Sequence, residues 1–413
     1  NKLMHRGFDN GRRFQEEVPY QPYLFVKSPK NENTGYRNIQ GQPVERIDFD
    51  SIREQREFSK QYRNIPNFEM YGLTNHPYLF INDEYPGESV DYDPSLINVI
   101  NLDIECAADE GFPDINAASK PITAITIKMR DNIACFGCGE YNVMDPETGE
   151  FTNKWSDGHN VKYYKARDEM ELLRDFIRVW KEWDPDVCTG WNIEGFDIPY
   201  TLNRITNVLG YEAARELSPF NVLDERKYIA SGAGGEDNTR LDIIGVTLYD
   251  YLSLYRKFTY SQQASYSLDN ISYVELGEKK LDYSEYDGLL SLYKNDYQKF
   301  MQYNIRDVLL VDKLDAKLGL IELAYAIAYD GKVNLIDSFT SVRMWDIIIH
   351  NYLMAKGIVV PGYGDTDKER QVEGAYVKDP QVGMHKWVVS FDLNSLYPHL
   401  IMQYNIGPDT FQG

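Results

Sequence analysis

Two carboxylates lie within one apolar segment, Leu102-Asp103-Ile104-Glu105, and this pair constrains the fold more than any other feature of the chain. Residues 97–105 are otherwise rich in apolar side chains and predict a buried β-strand, in which side chains two positions apart point to the same face. Two neighbouring anions on such a strand are costly unless a cation neutralises them. The pair therefore indicates either a metal site or a strand end whose acids reach water, and alone it does not decide between them.

Beyond this strand, segments with strand and helix periodicity alternate and predict an α/β domain over about residues 98–320. Threonines alternate with apolar residues over 122–129, which indicates a second strand. Asp168 and Glu171 form a capping box at the start of a helix, and a further strand is predicted near 187–189. The apolar stripe that we expect this helix to bury consists of Leu172, Leu173, Phe176, Ile177 and Trp180.

The residues ahead of this domain carry weaker patterns. Two similar segments, 23–26 and 78–81, each follow a proline closely and predict short strands. Between them, residues 51–64 mix arginine and lysine with glutamate, which predicts an exposed helix. An N-terminal domain over residues 1–97 is therefore assigned mainly by its position.

Two further acidic positions have ordinary explanations when each is taken alone. Asp197 begins a predicted helix that runs to Gly210, where an acid is also a common N-cap. Tyr303 and Asp307 are four residues apart within a helix predicted over 297–318, so their side chains share one helical face. Neither feature by itself distinguishes a functional site from a structural one.

Taken together, the acidic positions resemble the three exonuclease motifs of proofreading DNA polymerases. The motifs are D-x-E at Asp103 and Glu105, N-x-x-x-F-D at Asn192, Phe196 and Asp197, and Y-x-x-x-D at Tyr303 and Asp307. These motifs belong to the ribonuclease H-like exonuclease fold. Their order, the intervening lengths and the predicted strand and helix positions all agree with that family.

The resemblance continues toward the end of the chain. The segment Asp392-Leu393-Asn394-Ser395-Leu396-Tyr397-Pro398 resembles the D-x-x-S-L-Y-P motif that begins the palm of family B DNA polymerases. Residues 339–353 and 374–377 are similar to the connecting segment of the T-even bacteriophage type in particular. The resemblance therefore covers most of the chain from about residue 98 onward and is weakest over the first 95 residues.

The resemblance implies four segments. They are an N-terminal domain begun by residues 1–97, a 3′→5′ exonuclease domain over 98–322, a return to the N-terminal domain over 323–373, and the start of a palm over 374–413. The expected fold class is thus α/β: a ribonuclease H-like exonuclease domain with a mixed sheet, an α+β N-terminal domain and the first part of a polymerase palm. Because the chain lacks a methionine at position 1 and stops at Gly413, we expect it to be a piece of a longer protein.

The implied reaction is two-metal hydrolysis of the 3′-terminal phosphodiester of single-stranded DNA, which releases nucleoside monophosphates. By the resemblance, Asp103 would be shared by both ions. Glu105 and Asp307 would help to hold the ion that activates water, and Asp197 would hold the second ion. Tyr303 would orient the attacking water or the phosphate. All-oxygen ligands favour Mg²⁺, and Mn²⁺ is expected to substitute.

The resemblance also assigns contacts to nucleic acid. Asn192 and Phe196 would line the cleft for the DNA, with aromatic stacking on the bases, although Phe196 fits the core equally well. Residues 226–243 predict a hairpin with a glycine-rich tip. In the similar polymerases a hairpin here helps to separate primer from template, and this role remains a hypothesis because the tip differs.

In the palm segment, Asp392 would bind a metal, Ser395 and Leu396 would contact a dNTP, and Tyr397 would exclude a ribose 2′-hydroxyl. Since the family needs further palm and fingers residues, we do not expect this chain to synthesise DNA.

Expected partners are single-stranded and primer–template DNA, with dNTP, a sliding clamp and other replisome proteins for the full-length enzyme. The expected setting is the cytoplasm of a phage-infected bacterium, which suits four cysteines without a disulfide pattern and the absence of a long apolar segment.

The net charge of −21 argues against a chain that coats DNA over its whole surface, because acidic surfaces repel phosphate. Bound cations at one site would reverse that repulsion locally. One alternative is a nucleic-acid-binding replisome module with an inactive exonuclease, against which the complete set of carboxylates argues. The other is an RNA-directed nuclease of the same fold, against which the palm motif argues.

Overall fold

The computed structural model describes the chain except for residues 1, 29–33, 64, 67, 88–91, 108–112, 230–236, 363–373, 408–409 and 411–413. The chain divides into a large unit, residues 1–363, and a small unit, residues 364–413.

The strands in chain order are β1 (Lys2–Asp9), β2 (Arg12–Pro19), β3 (Tyr23–Lys27), β4 (Tyr36–Asn38), β5 (Pro43–Asp48), β6 (Met70–Tyr71), β7 (Val99–Cys106), β8 (Ile122–Met129), β9 (Asn132–Gly137), β10 (Asn160–Lys165), β11 (Val187–Gly190), β12 (Leu223–Ile229), β13 (Asp237–Ile243), β14 (Thr247–Asp250) and β15 (Ile358–Val359). The helices are α1 (Ile52–Tyr62), α2 (His76–Glu84), α3 (Glu169–Trp183), α4 (Asp197–Leu209), α5 (Tyr211–Arg215), α6 (Tyr251–Phe258), α7 (Leu268–Leu276), α8 (Leu289–Asn295), α9 (Tyr297–Leu318), α10 (Leu320–Gly331), α11 (Ser341–Met354) and α12 (Leu396–Tyr404). Short 3₁₀ helices span Pro94–Leu96 and Leu335–Phe339.

A six-stranded mixed sheet in the order β10-β9-β8-β7-β11-β14 forms the centre of the large unit. The pairs β7–β8 and β8–β9 are antiparallel, whereas β9–β10, β7–β11 and β11–β14 are parallel. Helices alternate with these strands along the chain, so the predicted α/β class with a mixed sheet is confirmed.

Helices cover both faces of this sheet. The alternation of side chains along β7 decides which residues point to each face. Ile100, Leu102 and Ile104 join a core with Phe176 and other side chains of α3 and α4. The intervening residues point to the opposite face, where the Asn101 amide donates a hydrogen bond to the Val308 carbonyl of α9 at 2.8 Å. Asp103 and Glu105 follow Asn101 in this alternation and therefore face α9.

The caps predicted from the sequence define the helices beside the sheet. The Asp168 carboxylate accepts a hydrogen bond from the Glu171 amide and caps α3, as the capping box predicts. The predicted span of α9 is confirmed at both ends, and Gly319 in the left-handed region ends the helix. These helices fix the faces from which acidic side chains approach the sheet.

A second sheet in the order β15-β4-β5-β3-β6 joins distant parts of the chain, because β15 pairs in parallel with β4. Its core contains Tyr23 and Phe25 of β3 together with Ala328 of α10 and Ile347 of α11. Residues after α9 thus pack against residues that precede β7.

The strand predicted over 78–81 is wrong, because these residues lie in α2. Pro77 occupies the first turn of this helix, where its missing N–H costs nothing and its fixed φ favours helix. An apolar run of four residues fits either element, and the N-terminal proline decides in favour of helix. The predicted helix over 51–64 and the strand at 23–26 are confirmed as α1 and β3.

In the small unit, described residues 374–407 have no regular secondary structure apart from α12. Its large apolar side chains, among them Trp387 and Phe391, are exposed to solvent. None of the helices in the described parts of the chain combines the length and the apolarity needed to cross a lipid bilayer.

Candidate metal centre

Strand β7 and helix α9 bring together three carboxylates. Asp103 and Glu105 of β7 and Asp307 of α9 each offer a carboxylate oxygen, and these oxygens lie within 4.8 Å of one another. The period of two along the strand places the first two side by side, and the helix supplies the third from the opposite layer. Asp307 is buried, whereas Asp103 and Glu105 are half-buried. Oxygen ligands at this spacing suit a divalent cation.

Asp197 lies beside this cluster, outside the group of three. As the first residue of α4 it is buried, and its Oδ1 accepts a hydrogen bond from the Ile104 amide of β7 at 3.1 Å. Burial raises the pKa of Asp197 to about 7, although the Ile104 amide lowers it in part. The fourth predicted carboxylate is thus hydrogen-bonded to the strand that carries Asp103 and Glu105.

The electrostatics of the cluster are those of buried anions whose charge Lys280 compensates only in part. Burial raises the pKa of Asp103 and Glu105 well above their usual ranges, and the negative charge of Asp307 raises both further. Burial also raises the pKa of Asp307, against the lowering effect of the Lys280 ammonium. A divalent cation would relieve this repulsion, so the charges in the site favour metal binding.

Lys280 is a residue that the sequence motifs did not reveal. Its ammonium Nζ lies 2.6 Å from Asp307 Oδ2 and 3.2 Å from the Tyr303 hydroxyl. Its backbone amide donates to Asp269 of α7 at 3.0 Å, which anchors the loop before α8. Lys280 is 27 positions from Asp307 in sequence. No local periodicity links the two positions, so only the fold brings them together.

Asn304 is a second such residue. Its side-chain amide Nδ2 donates to Asp103 Oδ2 at 2.6 Å, while its own Oδ1 is buried without a hydrogen-bond partner among the described residues. Oδ1 of Asp307 is likewise buried and without a hydrogen-bond partner there. A buried carboxylate oxygen without a donor is costly, and a bound metal ion would offset that cost. The residues present therefore fit a divalent cation.

The segment after β11 places Asn192 and Phe196. Asn192 is exposed, adopts a left-handed φ of 62°, and donates its backbone N–H to the buried Asp250 carboxylate at 3.0 Å. Phe196 stacks on Tyr200 with ring centroids 5.1 Å apart and packs against the core while remaining partly exposed. Burial, and next the charge of Glu194, raise the pKa of Asp250 to about 6. Asp250 is thus a further buried acid that the motifs did not reveal.

The predicted palm residues lie in the small unit. The residues Asp392, Ser395, Leu396 and Tyr397 are all exposed. Ser395, with a φ of 52°, directly precedes α12.

The predicted hairpin over 226–243 corresponds to β12 and β13, which pair from Leu223↔Ile243 to Ile229↔Asp237. Its glycine-rich tip lies outside the described residues.

A mixed α/β sheet that presents clustered carboxylates to a covering helix is typical of enzymes that act on phosphate esters with divalent cations. Comparison with known protein families identifies the family within this class of enzymes. Residues 79–271 match the exonuclease domain of DNA polymerase family B, and residues 334–413 match DNA polymerase family B. The chain belongs to the family B DNA polymerases.

The relatives include two phage enzymes. The chain is 35% identical over 419 residues to a DNA-directed DNA polymerase of Escherichia phage RB69, a match that covers 98% of this chain and 45% of that protein. It is 32% identical over 431 residues to that of Enterobacteria phage T4, covering 100% of this chain and 46% of the relative. A DNA polymerase delta catalytic subunit of Dictyostelium discoideum is 27% identical over 329 residues, 77% of this chain and 29% of the relative. The expected likeness to the T-even phage type is confirmed, and the chain spans a little under half the length of the two phage relatives.

Proposed function

We propose that this chain is a 3′→5′ exodeoxyribonuclease that proofreads for a DNA polymerase. The observation that carries the proposal is the group of Asp103, Glu105 and Asp307, whose oxygens lie within 4.8 Å and include the unpartnered Oδ1 of Asp307. The match of residues 79–271 to a family B exonuclease domain supports it, and Asp307 adds an acid from beyond that range.

The proposed cofactors are two Mg²⁺ ions, for which Mn²⁺ can substitute, since every candidate ligand is a carboxylate oxygen. Asp103, Glu105 and Asp307 would hold them, with Asp197 as a further ligand. When bound, such ions supply Lewis-acid stabilisation of phosphate oxygens and lower the pKa of water.

Side chains around the carboxylates have distinct proposed tasks. Burial and the nearby Asp307 raise the pKa of Tyr303, which keeps its hydroxyl protonated and able to donate. The Lys280 ammonium holds that hydroxyl at 3.2 Å and Asp307 at 2.6 Å, so both groups are kept in fixed positions. Asn304 fixes the Asp103 carboxylate through its 2.6 Å hydrogen bond. These contacts orient the groups before substrate arrives, which lowers the cost of reaching the reactive geometry.

The proposed substrate is the 3′ end of single-stranded DNA, and the product is a nucleoside monophosphate. Asn192 is exposed in the segment between β11 and Asp197, and it would contact the single-stranded DNA. Phe196 would stack on a base with the part of its ring that its core packing leaves exposed. With a net charge of −21, the chain would bind phosphate chiefly where cations are held.

We further propose that the remaining segments serve a phage-type DNA polymerase. Asp392, Ser395, Leu396 and Tyr397 would form part of a dNTP site with a metal at Asp392. Residues 98–322 would be the ribonuclease H-like exonuclease domain, 374–413 would begin the palm, and the N-terminal domain would combine 1–97 with 323–373, which the β15–β4 pairing supports. Primer–template DNA, a sliding clamp and other replisome proteins are the proposed partners, in the cytoplasm of an infected bacterium. The β12–β13 hairpin would help to separate the strands.

The competing function is a nucleic-acid-binding module with an inactive exonuclease. Such a module has no need for four acids whose pKa values burial raises, with the charge of Asp307 raising those of Asp103 and Glu105 further. This energetic cost favours the active enzyme, since perturbed acids concentrate at catalytic sites.

The test is degradation of 5′-labelled single-stranded DNA with Mg²⁺ by the wild type and by Asp103→Ala/Glu105→Ala. We expect stepwise shortening from the 3′ end that the double variant abolishes. Glu322→Ala/Asp330→Ala, which removes two exposed acids from α10 with the same change in net charge, should keep full activity. Folded wild type that binds DNA without shortening it, in Mg²⁺ or Mn²⁺, would establish the binding module instead.

A further inference from the structure

Asp250 lies where two parallel strands of the central sheet end. It is the last residue of β14, and its register partner on β11 is Gly190, the last residue of that strand. From this edge β14 leads directly into α6, whereas β11 leads into residues 191–196, which we call the β11–α4 turn. Asp250 is only 4% exposed. A buried acid thus lies between the two connections that leave the sheet here.

One oxygen of Asp250 binds both connections. Its Oδ1 accepts the backbone N–H of Asn192 at 3.0 Å and that of Leu252 at 2.9 Å. The bond from Leu252 is an ordinary N-cap of α6. The bond from Asn192 joins residues 58 positions apart and satisfies no helix end, so capping does not explain it. The carboxylate therefore has a second task, in the β11–α4 turn.

The backbone of Asn192 needs this support. Its φ of 62° lies in the left-handed region, which costs free energy for a residue with a side chain, although asparagine tolerates it better than most. Such a conformation persists where the surrounding contacts over-determine it. Asp250 accepts the N–H of Asn192, and the amides of Gly195 and Phe196 donate to its carbonyl at 3.0 and 3.1 Å. Both backbone polar groups of Asn192 are thereby fixed.

The turn can change without displacing the metal ligand that follows it. The Asn192 side chain lies over Gly195, where a Cβ would be 2.5 Å from Asn192 Oδ1, so its direction depends on the turn. Asp197 is held separately, because its carboxylate accepts the Ile104 amide of β7 at 3.1 Å. Loss of the bond from Asn192 to Asp250 would therefore free the turn and leave Asp197 in place.

We propose that Asp250 is a positioning residue for the substrate, which holds the β11–α4 turn in the conformation in which Asn192 and Phe196 contact the last nucleotides of a single DNA strand. This role rests on the proposed exonuclease function and adds to it a buried residue that acts through Asn192. Because the contacts concerned bind the strand rather than the reacting phosphate, their loss should raise KM and leave kcat nearly unchanged.

The experiment compares Asp250→Ser and Asp250→Asn with the wild type in steady-state degradation of 5′-labelled single-stranded DNA with Mg²⁺. Serine is a good N-cap and should keep α6 folded, but its hydroxyl lies nearer the backbone and should not reach the N–H of Asn192. We expect Asp250→Ser to raise KM about tenfold, as loss of a hydrogen bond to a charged group predicts, with kcat within about twofold. Asp250→Asn keeps an acceptor oxygen and should hold KM within about threefold of the wild type.

The matched control is Asp168→Ser, the same substitution at the N-cap of α3, where the carboxylate accepts the Glu171 amide. It should leave KM and kcat unchanged. Fluorescence anisotropy of a labelled strand, with Ca²⁺ in place of Mg²⁺, measures binding apart from hydrolysis, and Asp250→Ser should weaken this binding by the same factor as it raises KM.

The two measurements separate this role from the proposed function. Unchanged KM and Kd in Asp250→Ser, or an equal loss in Asp250→Asn or Asp168→Ser, would overturn the role of Asp250. A wild type that binds the strand without shortening it, and whose binding Asp250→Ser weakens, would overturn the exonuclease and keep the positioning role. A wild type that does not bind the strand would overturn both.

Discussion

The ammonium nitrogen of Lys280 lies 2.6 Å from Oδ2 of Asp307, so a built-in cation already occupies one oxygen of the buried acid. The other oxygen, Oδ1, is buried and lacks a hydrogen-bond partner within the described residues. Lysine and metal would therefore bind the same carboxylate on different oxygens. This division lets the lysine stabilise the metal-free protein without blocking a cation.

Lys280→Met should destabilise the metal-free protein and increase its dependence on Mg²⁺. Removing the cation leaves Asp307 buried without compensation, which should lower the free energy of unfolding by on the order of 2 kcal/mol. Because Mg²⁺ binds only the folded state, it should raise the Tm of the variant more than that of the wild type. Calorimetric Tm values with EDTA and with Mg²⁺ measure this difference.

The control for this prediction is Lys313→Met, since Lys313 pairs with Glu278 at the surface. Its Tm gain with Mg²⁺ should equal that of the wild type. An equal gain in Lys280→Met would show that the lysine and the metal do not share Asp307. The loss of the Tyr303 contact should also lower kcat of Lys280→Met by roughly a hundredfold, since misplacement of a group at the reacting centre can cost that much.

Asp250→Asn should change how stability depends on pH. The folded-state pKa of about 6 lies above the ordinary value of 3.8, so the folded protein retains a proton that the unfolded chain has released. Wild-type stability therefore falls as pH rises between these values, and the variant lacks this loss. From about pH 4 to about pH 7, unfolding free energy should shift in favour of the variant by on the order of 2 kcal/mol.

Urea unfolding of both proteins in EDTA measures this shift. The asparagine oxygen can still accept from the amides of Asn192 and Leu252, so the variant should keep its fold. Asp330→Asn, at an exposed position of α10, should parallel the wild type at every pH. Parallel curves for Asp250→Asn as well would mean that Asp250 titrates normally in the folded state.

The elements that carry the metal centre were predictable because local signals define them. Alternation placed Asp103 and Glu105 on one face of β7, and the span of α9 with its Tyr303 and Asp307 was predicted to the residue. Lys280 and Asp250 were not predictable, since a loop lysine and an ordinary helix N-cap carry no periodic signal. The pairing of β15 with β4 joins residues more than 300 positions apart, which no local pattern encodes. The strand predicted over 78–81 was wrong because the local pattern is ambiguous: four apolar residues do not distinguish helix from strand.

Gly190→Ala should destabilise the fold at the strand that carries the acids. A Cβ at Gly190 would lie 2.4 Å from the Leu102 carbonyl oxygen and 2.4 Å from Ile193 Cγ2. The carbonyl belongs to β7 and cannot move without shifting the neighbouring Asp103. Overpacking against a sheet backbone should lower the free energy of unfolding by about 3 kcal/mol and reduce exonuclease activity.

Urea unfolding and the single-strand degradation assay together test this packing prediction. Gly374→Ala is the matched control, because a Cβ there meets no atom within 4 Å. Its stability should stay within about 0.5 kcal/mol of the wild type. A similarly small effect at Gly190 would mean that β7 and β11 tolerate a larger separation.

Asp186→Asn should loosen the N-terminal hairpin from the central sheet. Arg13 of β2 binds Asp186 through both oxygens at 2.6 and 2.7 Å, and Arg6 of β1 reaches it at 3.1 Å. The same carboxylate accepts the Asn98 amide just before β7 at 2.9 Å, so one acid joins three segments. Since the Arg6 side chain is only 7% exposed, neutralising Asp186 leaves a poorly solvated guanidinium with Asp184, at 2.9 Å, as its remaining acidic partner.

We expect Asp186→Asn to lower the free energy of unfolding by on the order of 2 kcal/mol, and limited proteolysis to cut residues 1–19 faster. A double-mutant cycle with Arg13→Ala should give a coupling energy of about 1–2 kcal/mol, because the two side chains share direct hydrogen bonds. The cycle of Arg178→Ala with Asp175→Asn, an exposed pair on α3, should give less than about 0.5 kcal/mol. If both cycles gave the small value, the hairpin would be held by its backbone pairing and apolar contacts. The arginines would then add nothing to its attachment.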